Sequence, residues 1–401
     1  MLEVMTAYVC SRCRIQSPTD ALTWRCPECR GPWDLEFASA SVSLPSLASR
    51  GNSLWRYEEA LPPMPYAPEV TLGEGGTPLV PLAPLTKAEE KPAAETAAAP
   101  GGGSVSAKLD FLMPTLSFKD RGAVMLAAHA LRLARAGRLD RVVADSSGNA
   151  GTAVAAYGAR AGLDCLVYVP EGTSPKKLEQ IRAHGAQVVE VPGDREATAR
   201  AAQAAADEPG AFYASHVYNP YFLHGTKTYV YELWEELGGR LPDTIVVPVG
   251  NGTLLLGAAL ALDELRNHGL TDTRPALVAV QAEAVSPLAT AFHAGAEELG
   301  APAPARPTLA EGIAIPAPPR ARQILRAVRA TGGTFLTVTE GQIRSAQRDL
   351  AHRGLFVEST GVACWAAVQA APPRPGLTVV PLCGAGAKTG LAPGGGPQSV
   401  Q

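Results

Sequence analysis

Thr244-Ile-Val-Val-Pro248-Val-Gly250-Asn251-Gly252-Thr253-Leu-Leu-Leu256 holds a strand, a turn and a helix start in one run. The β-branched stretch Thr244 to Val249 reads as a buried strand, and the small residues from Gly250 to Thr253 release the chain into a helix beginning at Leu254. The same alternation recurs on either side. Val142 to Ala144, Cys165 to Val169, Gln187 to Val191, Ala276 to Gln281, Thr334 to Val338 and Leu377 to Leu382 read as further strands, each beside an Ala-rich helical stretch. Many of those helices stop at glycine, as at Gly162, Gly185, Gly269 and Gly354. The alternation predicts an α/β fold of doubly wound, mostly parallel sheets covered by helices, with ligands at the carboxyl ends of strands.

Four motifs fall at such places. From Pro248 to Thr253, main-chain N–H groups and the Thr253 hydroxyl can close around a phosphate. The spacing is neither the GxGxxG of a dinucleotide site nor a P-loop with its lysine, so a small phosphorylated cofactor suits it. Asp145-Ser146-Ser147-Gly148-Asn149-Ala-Gly151 follows a strand and enters a helix. Ser146, Ser147 and Gly148 can converge on a carboxylate there and Asn149 can donate to a phenolic oxygen, an ordinary N-capped turn being the alternative. Thr115-Leu-Ser-Phe118-Lys119-Asp-Arg-Gly122 opens a helix running to about Leu133, with Lys119 in its first turn. Taken alone, that lysine also reads as a solvated charge. Leu382-Cys383-Gly-Ala-Gly386 closes the last strand, where Cys383 can face a bound ring or simply pack, as Cys165 and Cys364 are expected to.

In this order the motifs resemble the fold-type-II pyridoxal-phosphate (PLP) enzymes, a group that includes threonine synthase, the threonine and serine dehydratases and tryptophan synthase β, over about residues 50 to 390. The resemblance implies a tryptophan synthase β-like fold with a large PLP-binding domain, 50–118 and 236–390, and a smaller mobile domain, 119–235. It implies that Lys119 is catalytic and bonds the cofactor aldehyde, with Phe118 beside the ring and Asn149 on its phenolic oxygen. Gly250, Asn251, Gly252 and Thr253 would hold the 5′-phosphate, Cys383 would face the pyridine nitrogen, and Ser146, Ser147 and Gly148 would take the substrate carboxylate. A thiol cannot keep that nitrogen protonated as a carboxylate would, which points to departure of a group from Cβ or Cγ with little transamination.

Within the family, Ser53-Leu-Trp55-Arg56-Tyr57, Gly225-Thr-Lys227-Thr228 with Glu232, and Gly384-Ala-Gly386-Ala-Lys388 look like threonine synthase, which converts O-phosphohomoserine and water to threonine and phosphate. Ala310-Glu311-Gly312-Ile313-Ala314 looks more like threonine or serine dehydratase, an ammonia-lyase, and a β-replacement activity such as that of a cysteate synthase stays open. Leu116 stands where the family usually has glycine. A threonine synthase needs a second anion site, for which Lys108, Arg121 and Lys227 are candidates, a surface role being the alternative for each.

Ahead of all this stand Cys10-Ser-Arg-Cys13 and Cys26-Pro-Glu-Cys29. Paired CxxC turns can surround a tetrahedral Zn²⁺, so a zinc ribbon is expected over 7–37; four protein ligands leave no open coordination position, which makes the metal structural. Seven cysteines in 401 residues are too few for a disulfide scaffold and fit a reducing compartment. Hydrophobic content of 46% can supply two cores. The 35 basic and 38 acidic residues give a net charge of −3, which supplies no field for nucleic acid or an anionic membrane. Glu3 interrupts any leader-like start, and Asp263 ends the most apolar stretch, Leu254 to Leu262. The expectation is a cytoplasmic enzyme acting on a small amino-acid substrate, homodimeric as the resemblance implies. Ala-, Pro- and Gly-rich 84–104 is expected to be a flexible loop between strands Thr77 to Pro81 and Val105 to Leu109, and 391–401 a disordered tail.

Overall fold

The computed structural model describes residues 6–82, 103–301, 306–371 and 375–391. Its strands are β1 (Ala7–Cys10), β2 (Gln16–Pro18), β3 (Trp33–Glu36), β4 (Leu79–Pro81), β5 (Gly103–Lys108), β6 (Arg141–Ala144), β7 (Cys165–Pro170), β8 (Gln187–Val191), β9 (Ala211–Tyr213), β10 (Thr244–Pro248), β11 (Ala276–Ala282), β12 (Thr334–Val338) and β13 (Gly376–Pro381). Every strand read from β-branched runs is present, with ends shifted by a residue or two. Gly103 and Ser104, assigned above to a flexible loop, belong to β5 instead, because its backbone pairs in register with β13 from Gly376↔Gly103 onward. The rest of the expected loop, 84–102, and 392–401 of the tail lie outside the described residues.

The chain divides into two compact units. One comprises the described parts of Met1–Gly76, Met113–Glu232 and Gly257–Leu270, the other those of Thr77–Leu112, Leu233–Leu256 and Thr271–Gln401. In the first unit, β6 to β9 form a parallel sheet in the order β8-β7-β6-β9, and β1 to β3 form an antiparallel sheet in the order β2-β1-β3. The Ala-rich helix Lys119–Arg135 is buried over most of its surface, with Val124, Met125, Leu126 and Leu133 in the core.

Segment 50–76 belongs to this unit and not with 77–112, for a reason visible at Glu74. Its buried carboxylate accepts from the Trp55 indole (2.8 Å), the Thr71 hydroxyl (2.9 Å), the Leu72 amide (2.9 Å) and the Tyr157 hydroxyl (2.9 Å). Four donors on one buried carboxylate satisfy the charge and tie the segment to the helix Asn149–Arg160. Burial raises the Tyr157 phenol above its ordinary value, and the nearby Asp120 and Glu74 charges push it the same way.

The second unit is built on a sheet of order β12-β11-β10-β13-β5-β4, parallel except for the edge pair β4–β5. β10 and β11 are buried at every position, which is why their sequences are near-continuous apolar runs, broken only by Thr244 and Gln281, and not alternating ones.

Candidate active site

The Lys119 helix begins from a turn that the sequence closes on itself. The Asp120 carboxylate accepts from the Thr115 amide at 2.6 Å and from the Thr115 hydroxyl, and the Leu116 amide donates to the Met113 carbonyl at 2.8 Å. Lys119 Nζ then lies 4.5 Å from the centroid of the Phe118 ring and 5.6 Å from that of Phe222. Phe222 comes from the short helix Tyr221–Thr226, and it reaches this place because Gly122 has no side chain: a Cβ there would stand 2.4 Å from the ring. Gly225 makes the reciprocal approach, since its Cβ would lie 1.9 Å from the Arg121 carbonyl oxygen. Gly122 in the lysine motif and Gly225 in the motif around Lys227 therefore serve one helix–helix contact.

Asn149 begins its helix at the carboxyl end of β6, and this helix packs against that of Lys119. Gly148 caps it with no side-chain bond, Ser146 Oγ accepts from the Gly148 amide at 3.3 Å, and the first turn carries no acidic residue. Gly151 is required, because a Cβ there would meet the Ser146 carbonyl oxygen at 1.7 Å. Two cationic or titratable groups that sequence reasoning missed lie at this strand edge. Arg195 pairs with Asp145 at 2.8 Å, and His216, three residues beyond β9, sets its imidazole 5.8 Å from the Phe222 ring. Burial first, then the positive charges of Lys119 and Arg195, hold the His216 pKa well below its ordinary value, so the ring is neutral at pH 7. No local pattern marks either residue: Arg195 is the first residue of the helix Arg195–Ala206 and meets Asp145 only in the folded chain, and His216 follows β9, a three-residue strand too short for a periodic signal.

Gly250, Asn251, Gly252, Thr253 and Cys383 belong to the second unit. The chain leaves β10 into a turn where Gly252 has φ +73°, a conformation that favours glycine, and enters the helix Thr253–Asn267, one residue earlier than expected and again with no acidic residue in its first turn. Cys383 is buried two residues beyond β13, and neighbouring Gly384 leaves room for the Glu358 carboxylate, which a Cβ would meet at 2.3 Å.

These features fit a phosphorylated aldehyde cofactor. Taken unit by unit, the first offers an amine close to two aromatic rings and a helix N-terminus without acidic side chains, and the second offers another helix N-terminus without acidic side chains, suited to a phosphate. Ser117 Oγ, two residues before Lys119, is buried with no hydrogen-bond partner among the described residues.

The three candidates for a second anion site are placed differently from the expectation. Lys108 is buried against Glu236 (2.6 Å) and the Thr77 carbonyl, Arg121 is buried in a two-pronged contact with Glu232, and Lys227 is buried against Glu264 (2.7 Å) and the Ala60 carbonyl. Each cation is neutralised by a carboxylate inside its own unit, so none is a surface charge or a donor held ready for a substrate.

The cysteine motifs do converge. The sulfurs of Cys10, Cys13, Cys26 and Cys29 all lie within 4.8 Å of one another, with Cys10–Cys29 at 3.3 Å and Cys13–Cys26 at 3.5 Å. Four thiolates around Zn²⁺ at about 2.3 Å would be separated by about 3.8 Å, so the cluster fits that ion with little movement. Burial pushes the Cys10 thiol up, but N–H groups of the CxxC turn outweigh it and bring the thiol down to about 7.

Comparison with known proteins follows the same line. The family model described as pyridoxal-phosphate dependent enzyme matches residues 70–384. The chain is 31% identical to the threonine synthase of Methanosarcina acetivorans over 358 residues, covering 88% of this chain and 84% of that one. It is 32% identical to the threonine synthase of Methanocaldococcus jannaschii over 355 residues, 87% and 83% of the two chains. Among solved structures, a threonine deaminase from T.th. superposes with a TM-score of 0.59 at 29% identity over 70% of this chain and 87% of that one. An O-ureido-L-serine synthase, at 22% identity, shares the fold with a TM-score of 0.62 over 80% and 94%. A match spanning the lysine, asparagine and glycine-loop motifs, together with relatives alike over most of their length, makes this chain a member of the pyridoxal-phosphate dependent enzyme family.

Proposed function

We propose that the chain is a PLP-dependent carbon–oxygen lyase with threonine synthase activity, converting O-phosphohomoserine and water to threonine and phosphate. The observation that carries the reading is the likeness to threonine synthases over more than four-fifths of both chains. Bound PLP supplies an electron sink that loosens bonds at the substrate α carbon. In this proposal Lys119 holds the cofactor aldehyde and moves the α proton, Phe118 packs beside the ring, and Asn149 donates to the phenolic oxygen. Gly250, Asn251, Gly252 and Thr253 take the 5′-phosphate, Cys383 limits electron withdrawal at the pyridine nitrogen, and Ser146, Ser147 and Gly148 take the substrate carboxylate. Arg195 and the donor nitrogen of His216 are proposed for the substrate phosphate: Arg195 is also paired, with Asp145, but its side chain is 48% exposed, whereas Lys108, Arg121 and Lys227 are fully enclosed in their pairs.

The cysteine cluster is proposed to hold a structural Zn²⁺. Seven free thiols suit the reducing cytoplasm, and among the described residues no helix is long and apolar enough to cross a membrane. A homodimer is part of the proposal and is checked by sedimentation.

One observation favours a second reading, an ammonia-lyase acting on threonine or serine: the 29% identity to a threonine deaminase of the same fold. A panel of O-phosphohomoserine, threonine, serine and O-phosphoserine, scored for both phosphate and keto acid, separates the two. Phosphate and threonine from O-phosphohomoserine are expected. Keto acid from threonine with no turnover of O-phosphohomoserine would replace the first reading by the second.

A further inference from the structure

β11 consists of Ala, Leu and Val except at Gln281, whose side chain is fully buried in the second unit. The sheet does not need it, because the β11 main chain already pairs with β10 and β12. Its amide reaches across the end of β10 instead: Nε2 donates to the Val249 carbonyl at 3.2 Å, and Oε1 accepts at 3.0 Å from the Ala289 amide in the first turn of the helix Pro287–His293. Only this orientation of the amide gives both neighbours a partner. Val249 is held at its other backbone group too, since its own amide donates to the Val280 carbonyl at 2.8 Å. The Val249 carbonyl and the Gly250 amide belong to one planar trans peptide, so fixing the oxygen toward Gln281 turns the Gly250 N–H to the opposite side. Gly250 is buried, and its N–H has no hydrogen-bond partner among the described residues.

From this we infer that Gln281 is a positioning residue for the cofactor phosphate: by holding the Val249 carbonyl it aims the Gly250 N–H into the turn 250–253 before the cofactor arrives. The inference rests on the reading of 250–253 as the turn that takes the 5′-phosphate. A donor aimed in advance needs no ordering when the anion binds, and a carbonyl that accepts a hydrogen bond leaves the N–H of the same peptide more strongly polarised.

Comparing the cofactor with and without its phosphate isolates this contribution. The holoenzyme is stripped with hydroxylamine and reloaded with PLP or with pyridoxal, each titration being followed by cofactor absorbance, and the ³¹P resonance of bound PLP is recorded. The unmodified chain is expected to bind PLP far more tightly than pyridoxal. Gln281→Met keeps the size of the side chain and removes both hydrogen bonds; it should weaken PLP about tenfold, leave pyridoxal within about twofold and shift the ³¹P resonance. Gln281→Glu keeps an acceptor for the Ala289 amide, so the helix end stays satisfied. It should lose preference for PLP while its carboxylate is ionised, and regain it, relative to the unmodified chain at the same pH, as acidification adds a proton that can donate to Val249. PLP and pyridoxal weakened alike, or an unmoved preference in both variants, overturns the inference and leaves Gln281 as a cap for the Pro287–His293 helix. No preference for PLP in the unmodified chain overturns the reading of 250–253 itself, and this inference with it.

Discussion

Arg121 stands two residues beyond Lys119 and faces the other way, into the interior, where both oxygens of Glu232 and the Thr228 hydroxyl (3.1 Å) receive its guanidinium. Glu232 also accepts from the Gly76 amide at 2.9 Å, so the pair is fully enclosed in hydrogen bonds. Such a pair adds little over an apolar contact, but half of it is costly, because an unpaired charge is left buried. Glu232→Gln is therefore expected to cost about 3–5 kcal/mol in a denaturant titration. A loss under about 1 kcal/mol would mean that water reaches Arg121. At this scale the sequence was readable where a motif fixes a position, as for Lys119 in the first turn of its helix, whereas the close approach at Gly122 showed only in the fold. It was not readable for Lys108, Arg121 and Lys227: all three look alike as cations, and only burial beside Glu236, Glu232 and Glu264 shows that they belong to the interior.

The ribbon shows what an element adds. Trp33 from β3 stacks on Tyr8 from β1 (5.9 Å), the Tyr8 hydroxyl lies 3.1 Å from His129 Nε2 on the Lys119 helix, and that imidazole stacks on Tyr221 at 4.1 Å. The Trp24 indole also donates to Asp207 at 2.7 Å. The cysteine cluster thus sits beside strands whose aromatic face covers one side of the Lys119 helix. Cys26→Ser, or removal of metal by a chelator, is expected to lower Tm by several degrees while changing kcat of the surviving folded enzyme less than threefold. Unchanged Tm and no zinc in the purified protein would contradict this. The CxxC spacing made the convergence of the four cysteines visible in the sequence, as β-branched runs did for β6, β7, β8 and β10 to β13. β9 escaped because Ala211-Phe-Tyr213 is too short to set a period, and with it went the placement of His216.

For the molecule as a whole, the buried histidines set how stability varies with pH. His129, His216 and His224 are held well below the ordinary value, chiefly by burial, with Arg132, Lys119 and Arg195, and Lys227 respectively adding like charge. In the unfolded chain each takes a proton near pH 6.5 while the folded chain does not, so the unfolded state binds more protons below that pH. Stability is therefore expected to be fully present above about pH 7 and to fall on acidification, by up to about 1.4 kcal/mol per pH unit for each histidine. Urea unfolding at pH 7.5 and 5.5 checks the sign: equal or greater stability at the lower pH would contradict it.

The most direct test of the central claim is to reduce the holoenzyme with borohydride, digest it and locate the added pyridoxyl mass. A single labelled peptide carrying the mass on Lys119 is expected. Label on another lysine, or no label in a protein that has bound the cofactor, would contradict the assignment on which the site and the reaction depend.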